Sequence, residues 1–250
     1  MAEAEPHGKR PQAFEFDALI AMMMRDYSYN DALVKLGEHT LSPTPALRFG
    51  VRWYPGAHFT NNAAANIGLD LFTQMMWPDD AKGSSETFKT KSLAFGLGLR
   101  YRIPIGKHEL GIIAGYGQQQ LSFGKASGGV DAAVPDVAYG AVRMGADSRI
   151  ELAQAFALKL GAAYLLPVSY GELADKAWFP HASGGGIEGA IGLGYAISPV
   201  VELDLGLAYA RYFLSLGPEL GDSGVAVQHR IAGGLTDQFF TGQLGVTLRP

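Results

Sequence analysis

The chain contains no cysteine. That excludes a disulfide framework and thiolate metal sites, and it is compatible with an oxidising compartment. No apolar run approaches the ~20 residues that a membrane-crossing helix needs, although 48% of the 250 residues are hydrophobic. Charge is sparse, at 18% of residues, and nearly balanced: 20 Lys and Arg against 24 Asp and Glu leave a net charge of −4. Such a composition offers no basic surface for nucleic acid. The opening residues MAEAEPHGKRPQ also lack the apolar core of a secretory signal. Their charges and two prolines read as a linker, so residues 1–13 are expected to be a flexible tail.

Glycine, in contrast, is abundant at 33 residues. So much glycine weakens helices, whereas a barrel with a crowded lumen can use it. Hydrophobic periodicity then decides the class. Leu93, Phe95, Leu97, Leu99, Tyr101 and Ile103 alternate with small or basic residues, as do Val201, Leu203, Leu205, Leu207 and Tyr209 with Glu202, Asp204, Gly206 and Ala208. A period of two is a strand signature. Ten such segments fall over 14–29, 44–54, 66–76, 90–104, 108–123, 137–149, 155–167, 186–197, 200–214 and 237–249. Each is long enough for the ~9–11 residues of a tilted transmembrane strand.

The connections alternate in length. Short ones lie near 55–65, 104–107, 150–154 and 198–199, and long ones at 30–43, 77–89, 124–136, 168–185 and 215–236. Outer-membrane barrels pair short periplasmic turns with long extracellular loops, and an even strand count leaves both termini in the periplasm. The expected fold is therefore all-β: a transmembrane antiparallel up-and-down β-barrel over 14–250. About ten strands are expected, with eight or twelve if one hairpin is misread. The expected location is the bacterial outer membrane, among outer-membrane lipid and lipopolysaccharide.

The face opposite the apolar one is mostly Gly and Ala with isolated charges, which suits a narrow lumen better than a solvated surface. Its acids are Glu15, Asp17, Asp70, Glu109, Asp147, Glu188, Glu202 and Asp204; its bases are Arg25, Arg48, Arg52, Arg100, Arg102, Arg143, Arg149 and Lys159. Eight face eight, and arginine suits bidentate pairing with carboxylates. Buried charges must pair, so this set is expected to form a lumen network that plugs the barrel. Aromatics near strand ends, Tyr27, Trp53, Tyr101, Tyr164, Tyr195, Tyr209 and Tyr212, together with Tyr29 and Phe213, are expected at the membrane interfaces.

With WYPGAHFT (53–60), GKHELGIIAGYG (106–117), AWFPHA (177–182) and ARYFLSLGP (210–218), the chain resembles small Gram-negative outer-membrane barrels of the OmpA/OmpX type. It is more similar still to the glycine-rich outer-membrane β-barrel domains common in myxobacteria. The resemblance covers most of the chain and carries no catalytic motif. It implies that an upstream periplasmic domain or envelope protein can be a partner.

Candidate chemistry is thin. Gly184, Gly186 and Gly189 have dinucleotide-fingerprint spacing, but they lead into an alternating strand where that fingerprint needs a helix. A protease of the omptin type would need paired acids and an Asp–His pair at the outer rim. Asp79, Asp80, His181, His229 and Asp237 are the nearest residues, without the expected Asp-x-His spacing. His181 with Ser183 is the nearest candidate for lipid A-modifying chemistry, amid loop-type glycine and proline. The six histidines (7, 39, 58, 108, 181 and 229) are dispersed, so neither a metal nor a cofactor is expected. The favoured expectation is a non-catalytic envelope anchor or surface-interaction protein with a largely plugged lumen. The alternatives are a small porin-like channel and, last, an outer-membrane enzyme.

Overall fold

The computed structural model describes residues 11–34, 36–77, 79–82, 87–126, 134–153 and 155–250. The chain forms eleven strands in order: β1 (Phe14–Ala32), β2 (His39–Trp53), β3 (Ile67–Met76), β4 (Asp79–Lys82), β5 (Thr87–Ile105), β6 (His108–Ala126), β7 (Val137–Glu151), β8 (Phe156–Gly171), β9 (Ser183–Ala196), β10 (Val201–Ser215) and β11 (Ala232–Leu248). β3 and β4 both lie between β2 and β5, so they are two parts of one barrel strand. Every pairing is antiparallel to the next strand in sequence, and β1 closes the ring by pairing β11 from Phe16↔Leu248 to Ala32↔Ala232. The result is a closed ten-strand antiparallel barrel.

The alternation read in the sequence sorts side chains between outside and lumen. On β1, Ile20, Met22 and Met24 are exposed while Leu19, Ala21, Met23 and Arg25 are buried. On β10, Leu203, Leu205 and Leu207 point out while Glu202 and Asp204 are buried. The outward apolar positions of β1 run from Phe14 to Met24 and give way to Asp26, Ser28 and Asn30. Ten residue steps at ~3.4 Å and a tilt near 40° span roughly 26 Å, matching the ~25 Å apolar band of such barrels.

Strands continue past this band at the outer end, and the sequence-based boundaries fall short there. β1 ends at Ala32 where 29 was expected, β2 starts at His39 (44 expected), β8 runs to Gly171 (167 expected) and β11 starts at Ala232 (237 expected). Apolar alternation stops where the outer face leaves lipid, but the backbone ladder continues. The link over 54–66 also departs from expectation. It is a folded cap with two 3-10 turns, Pro55–His58 and Ala63–Asn66, whose Ala57 and Ala65 pack against Tyr54 and Ala13. Its Ala- and Asn-rich composition reads as loop. Gly184–Gly189 lies within β9, with no helix following.

Candidate functional site

The lumen has two storeys. The periplasmic half holds the charge network. Glu15 accepts from Arg52 (2.9 Å) and Arg249 (3.0 Å), and Arg52 reaches Asp70 at 3.2 Å. Arg100 pairs with Asp147 and with Glu109 (2.8 Å), and donates to the Tyr54 hydroxyl. Lys159 lies 2.7 Å from Glu202, a residue that also pairs with Arg149 and Arg249, and contacts Asp204 as well. Higher up, Arg143 meets Glu188 at 2.6 Å. Arg102 behaves differently from its expected role. It donates to the backbone carbonyls of Gln12 (2.9 Å) and Ala65 (3.2 Å) and stacks over Tyr54, so it fastens the cap, with Glu109 only at 3.8 Å.

The outer half is an ordinary apolar core. Met23, Leu41, Leu121, Leu165, Leu214, Leu235 and Phe239 pack with Tyr27, Tyr139 and Tyr212 inside the barrel. At its centre sits one ion pair with neither side chain exposed: Arg25 donates bidentately to Asp237 at 2.7 and 2.6 Å. The Tyr139 hydroxyl adds a third bond to Asp237 at 2.9 Å. Loop residues close the mouth. Leu173, Trp178, Phe179 and Leu216 complete the core from above. Arg230 stacks 3.4 Å over Trp178 and donates to Ala177 O at 2.6 Å. Asp136 accepts from Phe123 N and donates its own N–H to Glu172, which also accepts from Trp178 Nε1 at 3.2 Å. Burial pushes the Asp136 carboxyl above its ordinary range, the Phe123 N–H works the other way, and the Glu172 charge adds to the rise.

All sixteen charged residues predicted for the lumen lie on the inner face, fourteen of them with an opposite charge within 4.0 Å. They do not fill the periplasmic half as expected: a cavity of about 580 Å³ remains among them, with a second of about 180 Å³ above it. Among the aromatics, Trp53, Tyr101, Tyr164 and Tyr195 are exposed on the outside, and Tyr209 packs there on Phe240. Tyr27 and Tyr212 are corrections, since both are buried in the lumen, as is Tyr29. Tyr27 is two residues from Arg25, and Tyr212 shares the parity of Glu202 and Asp204, so strand periodicity itself puts them inside.

Arg249, Tyr139 and Tyr54 are not among the expected lumen residues, and Asp237, weighed for the outer rim, lies in the lumen instead. Asp237 and Arg249 have the parity of inward Gln243 and Thr247, which was the available signal. His39, expected in a loop, is the first residue of β2 and is buried edge-on against Phe123. Asp79 and Asp80 fall in β4, but their side chains lie outside the described residues. Among the described residues, no three potential ligands converge on a metal position.

No family model and no curated protein matches the sequence. Solved structures do match in shape. The outer-membrane protease OmpT of Escherichia coli aligns with a TM-score of 0.60 at 10% identity, over 96% of this chain and 97% of that one. Neisserial surface protein A aligns at 0.38 and 12% identity (95% and 97% covered), and the attachment invasion locus protein of Yersinia pestis at 0.38 and 13% (96% and 100%). At these identities the likeness concerns fold alone. With a closed ten-strand ring and an outward apolar band, the chain is a small β-barrel of the bacterial outer membrane.

Proposed function

We propose that this barrel is non-catalytic and serves as an envelope anchor or surface-interaction protein whose lumen does not conduct. The observation that carries this reading is the outer core: side chains of the strands and of loop residues Trp178 and Phe179 pack across the barrel between the two cavities and the outer mouth. Two of the side chains weighed for catalysis, Asp237 and His181, have other neighbours. Asp237 is committed to Arg25. His181 lies 3.3 Å from Asp222, but the other oxygen of that carboxylate accepts Glu219 N and so shapes its own loop. The apolar band and the outward Trp53, Tyr101, Tyr164, Tyr195 and Tyr209 would meet lipid and lipopolysaccharide. The tail and cap at the other end would meet an upstream periplasmic domain or envelope protein. Planar-bilayer recording tests the reading: the purified full chain should insert and show no steady current. The porin-like alternative draws on the 580 Å³ cavity reaching the periplasmic rim at Gly106, Lys107 and His108. Large, stable, ion-selective conductance would establish that alternative and overturn the closed-lumen reading.

A further inference from the structure

Two of the sixteen lumen charges stand apart. Among the described residues, neither Arg48 nor Asp17 has an oppositely charged group within 4.0 Å, and neither side chain makes a hydrogen bond. The carboxylates and cations around them are already engaged: Asp70 with Arg52, Glu188 with Arg143, and Lys159 with Asp204. Both residues line the periplasmic-side cavity of about 580 Å³, and Arg48 also lines the smaller one above.

Their positions are built. Arg48 is opposite Leu19 and Asp17 opposite Gly50 across the β1–β2 ladder, so they are diagonal neighbours on the inner face. Diagonal Cα atoms are ~7–8 Å apart. The Arg48 guanidinium lies 4.4 Å from the centre of the Phe72 ring. The ring occupies space left by Gly96, where a Cβ would approach it to 2.3 Å. The Asp17 carboxylate likewise lies across Gly50, where a Cβ would meet its oxygens. Two glycines thus seat an arginine on an aromatic platform and an aspartate beside it. An arginine stacked by its face keeps its in-plane N–H groups for a carboxylate-like partner.

We propose that Arg48, Asp17 and Phe72 form a lumen site for a small zwitterion of the amino-acid class, entering from the periplasmic end. Arg48 and Asp17 carry opposite charges on neighbouring strands and face the same cavity without meeting within 4.0 Å, so a ligand bearing both signs can bridge the gap between them. A plain anion would satisfy Arg48 and face Asp17, and a plain cation would do the reverse. A molecule with a carboxylate and an ammonium a few ångströms apart pairs with both. The cavity is many times the ~30 Å³ share of one water, so such a ligand fits.

The test is calorimetric titration of the full chain, refolded in detergent, with L-alanine and 4-aminobutyrate, which separate the same two charges by a short and a longer spacer. Acetate and ethylammonium serve as single-charge probes. At least one zwitterion should bind saturably, with both single-charge probes weaker by about tenfold, the loss expected from one charged hydrogen-bonding group. Arg48→Gln and Asp17→Asn should each weaken zwitterion binding by a similar factor. If a variant fails to fold, the unmodified chain still decides. The bound zwitterion should raise its thermal midpoint in proportion to log concentration, and the single-charge probes at equal ionic strength should not. The proposal is overturned if neither zwitterion binds, if acetate or ethylammonium binds as tightly, or if a folded Arg48→Gln protein binds unchanged.

Discussion

Replacing Asp237 by Leu should be among the most damaging single changes to this barrel. The carboxylate is wholly buried, accepts two bonds from Arg25 and one from Tyr139, and sits within the outer core. Removing one partner of a buried pair costs about 3–5 kcal/mol, because the remaining charge is left without compensation. Stranding the Tyr139 hydroxyl adds about 1–3 kcal/mol. Arg25→Met should cost about 3–5 kcal/mol by the same reasoning, with Tyr139 still partnering Asp237. Combining Arg25→Met with Asp237→Leu removes both charges and leaves only the Tyr139 hydroxyl without its partner, so the double variant should lie within about 1–3 kcal/mol of the parent. The single losses would sum to roughly 7–13 kcal/mol, and strong non-additivity is the expected signature. Urea unfolding in lipid vesicles, followed by Trp fluorescence and by the gel shift on boiling, reads all four proteins; Trp178 lies in this core. Additive losses, or a cost below about 1 kcal/mol for Asp237→Leu, would mean that water reaches the pair and that the outer half is not a dry core.

Leu97, outward on β5 and 56% exposed, should tolerate Arg poorly: about 2–4 kcal/mol if it sits at the bilayer midplane. Wild-type stability of Leu97→Arg in the same vesicles would invert the faces of that strand. Replacing Arg100 and Arg102 together with Ala should free the 54–66 cap, since Arg100 holds the Tyr54 hydroxyl and Arg102 holds Gln12 and Ala65. Limited proteolysis should then cut within 54–66 while the gel shift of the barrel persists. A cap as resistant as in the parent would show that Tyr54, Ala57 and Ala65 hold it without the arginines.

Much of the barrel was legible because lipid on one side and a narrow lumen on the other impose a period of two over whole strands. Each of the ten barrel strands has its counterpart among the expected segments, with outer ends and the β4 part of the third strand read as loop, and the inward parity of Glu15, Asp17, Arg48, Arg52, Glu202 and Asp204 follows directly from the period. Partner choice was not legible. Whether Arg102 meets Glu109 or the backbone of Ala65 depends on how 54–66 folds back under the barrel, and nothing periodic encodes that. The cavity around Arg48 depends on Gly50 and Gly96 facing long side chains across the ladder, a matter of register that composition leaves open.

The misplaced tyrosines share a cause with the short strand ends. Within the bilayer the outer face is solvated by lipid, so apolar residues belong outside and the lumen can be polar. Above the band the same strand meets water on its outer face, and the hydrophobic effect then draws apolar residues inside. β1 shows the reversal within one strand: Met22 and Met24 face out, and two residues later Asp26 and Ser28 face out while Tyr27 and Tyr29 face in. β10 repeats it, with Leu205 and Leu207 outside, then Arg211 outside and Tyr212 and Leu214 inside. An aromatic near a strand end therefore has two destinations, and polarity cannot choose between them. Parity can, because it is fixed by the backbone and does not change where the solvent does. Applied to the outer half, parity places Arg25, Tyr27, Tyr139, Tyr212, Asp237 and Phe239 on one inner surface, and those residues form the core that closes the barrel.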